Sequence, residues 1–132
     1  MPDNAAVAGN PDGDRDTVAT ILIVDDEPDM RFLLKLVFEA AGHRIVQANH
    51  GVAALEHVQE SRPDLIVTDV MMPMLDGLGL IERLRSDPDT ETIPILVLSS
   101  HARAVPGADA ALTKPFRPHE VLAMGLSLIE GG

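Results

Sequence analysis

The chain has no cysteine, tryptophan or tyrosine, and its only aromatic residues are three phenylalanines. Without cysteine there is no disulfide framework, no thiol catalysis and no thiolate zinc site, a pattern that suits a reducing cytoplasm. So few rings leave little for stacking bases or sugars, and the core must be mostly aliphatic. Positive charge is scarce too. Ten Lys and Arg stand against 21 Asp and Glu, a formal net charge of -11. A nucleic-acid surface needs clustered Lys and Arg, so no nucleic-acid partner is expected. No apolar stretch approaches a membrane span, and Met1-Pro2-Asp3-Asn4 opens without a basic or apolar signal region. The expectation is a cytoplasmic protein without membrane contact, monomeric or weakly dimeric.

What is present is a regular alternation. At 132 residues the chain fits one domain with a core that needs no staples. Residues 1–19, rich in Asp, Asn, Gly, Pro and Ala without a period, predict a disordered arm, and residues 20–130 carry the domain. Apolar runs at Ile21–Val24, Leu65–Thr68, Ile95–Leu98 and Ala110–Thr113 read as strands buried on both faces. A further strand is expected over Arg44–Asn49. Between them, Met30, Leu33, Leu34, Val37, Phe38 and Ala41 mark a helix that Pro28 opens and Gly42 closes. Gly51–Ser61 predicts a second helix with Ala54, Leu55 and Val58 inward, and Leu78, Ile81 and Leu84 a third. A last helix is expected from about Arg117 to Glu130. Strands alternating with helices imply right-handed crossovers and a parallel sheet, whose ligand site lies beyond the carboxyl ends of the strands.

At those ends stand the residues that carry chemistry: Asp25-Asp26, Asp69, Ser99 and Lys114-Pro115. Converging carboxylates repel, by roughly 4 kcal/mol per pair at about 4 Å and an effective dielectric near 20. A hard divalent cation with oxygen ligands resolves this, and Mg²⁺ takes one or two carboxylates while keeping several waters. The expected ligands are Asp26 and Asp69 directly, Asp25 through a water, and the backbone carbonyl of Met71. Lys114 would offer an ammonium, and Ser99 a hydroxyl, to a transferred phosphoryl group. This set suits phosphoryl transfer, where catalysis is mostly positioning and charge neutralisation. Each piece also has a plainer explanation: Asp25-Asp26 as a helix N-terminal pair, Lys114 as a solvated charge, Ser99 as a strand end. The five histidines are expected to be solvated, with His101 an exposed loop residue near the site. Met71, Met72 and Met74 read as an interaction patch or as gap fillers.

The ordered set Ile21–Pro28, Pro63–Asp69, Met72-Pro73, Asp76-Gly77, Pro94, Ser99, Gly107–Asp109 and Lys114–Phe116 resembles the receiver domain of bacterial two-component response regulators. The resemblance covers residues 20–130. It implies a flavodoxin-like (CheY-like) doubly wound five-stranded sheet of order 2-1-3-4-5. It further implies that Asp69 is the phosphoacceptor for a histidine kinase or histidine phosphotransfer protein, that Ser99 and Lys114 bind the phosphoryl oxygens, and that Lys114-Pro115 is cis. The phosphorylated form would act on a downstream protein target, either as a standalone chain or as a fragment of a longer regulator, since no output domain follows residue 130.

Two departures stand out. The family's aromatic switch position is occupied by Ala111, which has no rotamer to toggle. Ser99 and Lys114 are also several residues closer than the family pattern, and residues 99–108 supply only ten positions for a crossover that normally needs about a dozen. The fourth helix is therefore expected to be short or absent, with readout moved to the first helix, the loop from Val70 to Gly77, or the remnant around His101. Two other functions fit parts of the pattern. An aspartate-nucleophile phosphohydrolase would use Asp69, but Met71 cannot serve as its proton-transfer group. A phosphorylation-independent scaffold would suit Ala111 and the short crossover, but not the intact acidic set.

Overall fold

The computed structural model describes residues 18–72, 74–100 and 105–131. The expected arm falls outside them except for Val18 and Ala19. Ala19 is already part of the fold: it is buried, its N–H donates to His43 Nδ1 at 3.1 Å, and its carbonyl accepts from Arg44 N at 2.9 Å.

The elements run β1 Thr20–Val24, α1 Pro28–Ala40, β2 Arg44–Ala48, α2 Gly51–Glu60, β3 Leu65–Asp69, α3 Gly77–Arg85, β4 Ile95–Ser99, β5 Ala110–Thr113 and α4 Pro118–Gly131. All strand pairs are parallel, in the order β2-β1-β3-β4-β5. The expected flavodoxin-like topology is therefore the observed one. The central strands β1, β3 and β4 are buried on both faces because helices cover both sides. Alternate residues serve two cores. Leu22, Val24, Ile66, Ile95 and Val97 pack with Ala54, Val58, Leu80, Ile81 and Leu84 under α2 and α3. Ile21, Ile23, Leu65, Val67, Leu96 and Leu98 pack with Leu34, Phe38 and Val121 under α1 and α4.

Three details differ from the sequence expectations. The Ala110–Thr113 strand is not buried on both faces: its residues alternate between half-buried and exposed. It is an edge strand, and Ala111 and Thr113 face the side that α2 and α3 cover elsewhere. Leu78 is 41% exposed and Leu80 is fully buried, so the inner stripe of α3 is Gly77, Leu80, Ile81 and Leu84. Leu78 lies about 100° around the helix from Gly77 and ends at the rim. On α1, Leu34 and Phe38 are buried, whereas Leu33 is exposed and Ala41 lies beyond the last turn.

Between β4 and β5, Ser100 and residues 105–109 are not helical, and the described residues hold four helices in all. His101 lies outside the described residues. The short crossover is tied down by Arg85 at the end of α3, which donates to the carbonyls of Gly107, Glu91 and Ile93 and to Asp109 Oδ2, each at 2.8 Å. Asp109 Oδ2 also accepts from Ile95 N at the start of β4.

Candidate functional site

Parallel pairing with staggered register brings the carboxyl ends of β1, β3, β4 and β5 to one edge. Val24 pairs with Thr68, Asp69 with Leu98, and Ser99 with Thr113, so Asp25, Asp69, Ser99 and Lys114 follow in neighbouring positions. The β1–α1 turn that carries Asp25 and Asp26 is short because Pro28 starts the helix at once, its fixed φ suiting the first helical position. On the opposite side of Asp69, α3 begins almost against the strand. Asp76 caps that helix by accepting from Gly79 N at 2.9 Å, and Gly77 N donates to Val70 O at 2.8 Å. A side chain at position 77 would collide with the backbone oxygen of Asp69 and lie 2.9 Å from the Cα of Val70. Glycine there lets the helix start approach the phosphoacceptor candidate. These two residues explain the Asp76-Gly77 motif physically.

One ligand oxygen from each of Asp25, Asp26 and Asp69 lies within 4.8 Å of the others, the group among the described residues arranged to hold a metal ion. Asp26 is exposed, while Asp25 and Asp69 are buried. Asp25 Oδ1 accepts from Glu27 N at 2.9 Å, but its buried Oδ2 has no hydrogen-bond partner. Lys114 Nζ stands 3.9 Å from that oxygen, too far for a hydrogen bond, and 3.3 Å from Asp69 Oδ1. Asp69 Oδ1 also accepts from Val70 N at 2.8 Å. Burial raises the Asp25 carboxyl from its ordinary value to about 6; the Asp69 charge adds to the rise, while the Glu27 N–H and the Lys114 ammonium oppose it. A buried carboxylate oxygen without a donor, among three convergent carboxyls, fits a cation better than it fits water-free protein.

The other site residues sit as follows. Ser99 is buried at the end of β4, and its carbonyl accepts from Lys114 N at 2.7 Å. Lys114-Pro115 is cis. Met71 follows Asp69 by two positions with a largely exposed side chain, and Met74 is equally exposed with φ of 68°. Two histidines expected to be solvated are half-buried acceptors instead: His43 Nδ1 for Ala19 N, and His50 Nδ1 for Ala53 N as the cap of α2. Sequence inspection also passed over Arg31, whose Nη1 donates to the backbone oxygen of Asp25 at 2.7 Å. Its only signal is a cation one turn into the helix that follows the acidic pair.

A doubly wound sheet with an acidic cluster and a lysine at its carboxyl edge is the arrangement that the resemblance to receiver domains implies, and the comparisons with known proteins show that family. A family model described as the response regulator receiver domain matches residues 21–125. The response regulator GtcR of Aneurinibacillus migulanus is 40% identical over 111 residues, spanning 79% of this chain and 45% of that protein. The response regulator MprA of Mycobacterium leprae is 44% identical over 110 residues, 78% of this chain and 47% of that one. Among solved structures, the receiver domain of a signal transduction histidine kinase from Syntrophus aciditrophicus superposes with a TM-score of 0.82 at 31% identity, covering 86% of this chain and 92% of that one. The chemotaxis response regulator CheY4 of Vibrio cholerae gives 0.79 at 31%, covering 86% and 99%. The chain belongs to the receiver domain family of two-component response regulators. It spans about half the length of the first of these curated relatives. No helix among the described residues is long and apolar enough to cross a membrane.

Proposed function

We propose that this receiver works as a phosphorylation-controlled switch with Asp69 as its phosphoacceptor. The observation that carries the proposal is the convergence at one sheet edge of three carboxylates and the Lys114 ammonium, with Lys114 Nζ 3.3 Å from Asp69 Oδ1. In the transfer, an Asp69 oxygen attacks the phosphorus of a phosphohistidine. The P–O bond to the aspartate forms as the P–N bond breaks, and the imidazole leaves with the electron pair and takes up a proton. Asp26 and Asp69 would hold Mg²⁺ directly, Asp25 through a water, and the Met71 carbonyl would complete the protein's share. The ion supplies positive charge where the phosphoryl oxygens gather. Lys114 neutralises the same oxygens from the β5 side, and the Ser99 hydroxyl donates to one of them. Because these groups are built into the receiver, it assists its own phosphorylation from any donor that reaches Asp69, and its own hydrolysis.

The donor in this reading is a histidine kinase or histidine phosphotransfer protein in the cytoplasm. The outcome is altered affinity for a protein target, read without an aromatic at position 111. The test is an amide-resolved NMR titration with Mg²⁺ followed by beryllofluoride, which mimics a phosphoryl group on a carboxylate. Wild type should shift at Asp69, Ser99 and Lys114 in both steps, and Asp69→Asn should lose the second. Binding of beryllofluoride to Asp69→Asn as tightly as to wild type, or no binding to either, would overturn the assignment.

A further inference from the structure

Arg31 takes no part in the transfer described above, yet it grips the backbone of the acidic turn. Its Nη1 donates to Asp25 O at 2.7 Å, its Nε donates to Gln47 Oε1 on β2 at 3.3 Å, and its own N–H donates to Glu27 O at 3.1 Å. We propose that Arg31 is a positioning residue for the metal site, holding the Asp25–Asp26 peptide in the orientation that aims both carboxylates inward. The inference rests on the Mg²⁺ reading above.

The carbonyl that Arg31 holds belongs to the peptide unit joining the two acidic residues. That unit is planar and rigid, so fixing its oxygen also fixes the direction in which Asp26 leaves it. Asp25 has further anchors: its N–H donates to Ala48 O at 3.1 Å, and its Oδ1 accepts from Glu27 N. Asp26 has no such help. It is exposed, and among the described residues no partner ties its carboxylate. Without a cation, the charges of Asp25 and Asp69, which Lys114 offsets only in part, would drive that carboxylate outward. The peptide plane set by Arg31 is the restraint that keeps it near. Gln47, exposed on the neighbouring strand, gives the guanidinium a second acceptor that favours the same side-chain direction. A guanidinium is suited to this because its planar donors serve two acceptors at once, which an ammonium on a flexible stem does less well.

Arg31→Met keeps the aliphatic stem and removes the fork; Arg31→Lys keeps the charge with its donors on a single nitrogen, without the planar fork. By calorimetry, Arg31→Met should bind Mg²⁺ about tenfold more weakly, the size typical when a partner that orients a metal ligand is lost. Arg31→Lys should recover part of that loss. In EDTA the Glu27 amide should exchange faster in Arg31→Met while the melting temperature falls only slightly. Labelling by a small phosphodonor should be slow at low Mg²⁺ and return to the wild-type rate at saturating Mg²⁺. A merely structural arginine would lower the melting temperature and leave the Mg²⁺ affinity unchanged. Wild type binding Mg²⁺ and Arg31→Met matching it within twofold would overturn this inference alone. Failure of wild type to bind Mg²⁺ would overturn the metal reading and this inference with it.

Discussion

At the residue scale the controlling fact is the burial of Asp25. Its carboxyl is raised from 3.8 to about 6, so between those values the folded chain binds a proton that the unfolded chain has released. Stability contributed by this group is fully present below about pH 4, falls as pH rises towards 6, and stays lost above it. Asp25→Asn should therefore raise the metal-free melting temperature at pH 7.5, by on the order of 2 kcal/mol in stability, with the gain gone at pH 4. Thermal melts in EDTA at the two pH values check this. In the proposed Mg²⁺ site the ion would need the ionised form of Asp25, so its stabilising effect on wild type should fade as pH drops through about 6. Gly77 makes a second residue-scale prediction. A methyl at 77 meets backbone at Asp69 and Val70 rather than a flexible side-chain end. Gly77→Ala should then cost about 1–3 kcal/mol in urea melts and weaken Mg²⁺ binding as Asp69 is displaced.

At the scale of elements, the described part of the β4–β5 crossover, residues 105–109, is anchored by Arg85. Arg85 serves three carbonyls and a carboxylate, so Arg85→Ala leaves several acceptors unpaired and should cost about 2–3 kcal/mol. Lys35→Ala, which breaks only the exposed i,i+4 pair with Glu39, should change stability by less than about 0.5 kcal/mol. Denaturant midpoints of the two variants, measured side by side, separate a fork that serves several backbone acceptors from an ordinary exposed ion pair, the latter on α1; equal small losses would contradict the role given to Arg85. The elements themselves were legible in the sequence, because four apolar runs each ending in a chemical residue fix strand direction and hence a common edge. Their faces were less legible. Leu78 and Leu33 match the helical period yet lie at its rim, since a period gives the spacing of a stripe but not where the neighbouring helices stop covering it. The β5 run looked buried for the same reason: burial of Ala111 and Thr113 depends on a layer that only the tertiary structure supplies or withholds.

At the scale of the whole molecule, the strand order came from the resemblance to receiver domains, whereas the meeting of Asp25, Asp26, Asp69 and Lys114 could be read in advance, because the strands of a parallel sheet end at one edge. The supporting contacts could not. His43 accepts from Ala19, 24 positions away, which no local pattern discloses; Arg31 and His50 reach backbone groups within six residues, but neither residue type marks itself out for that role in the sequence. The uncovered face of β5 also bears on output. Ala111 is exposed, and among the described residues no helix packs over it, so a large side chain there has room at the surface. Ala111→Tyr should change stability by less than about 0.5 kcal/mol and leave labelling by a small donor at the wild-type rate. A marked change in either would mean that position 111 still takes part in switching.

The central claim, that Asp69 is a Mg²⁺-dependent phosphoacceptor, is tested most directly by intact mass after incubation with acetyl phosphate, in Mg²⁺ and in EDTA. The account predicts one phosphate on wild type in Mg²⁺, little in EDTA, and none on Asp69→Asn. Equal labelling of wild type and Asp69→Asn, or no label on wild type in saturating Mg²⁺, would contradict it.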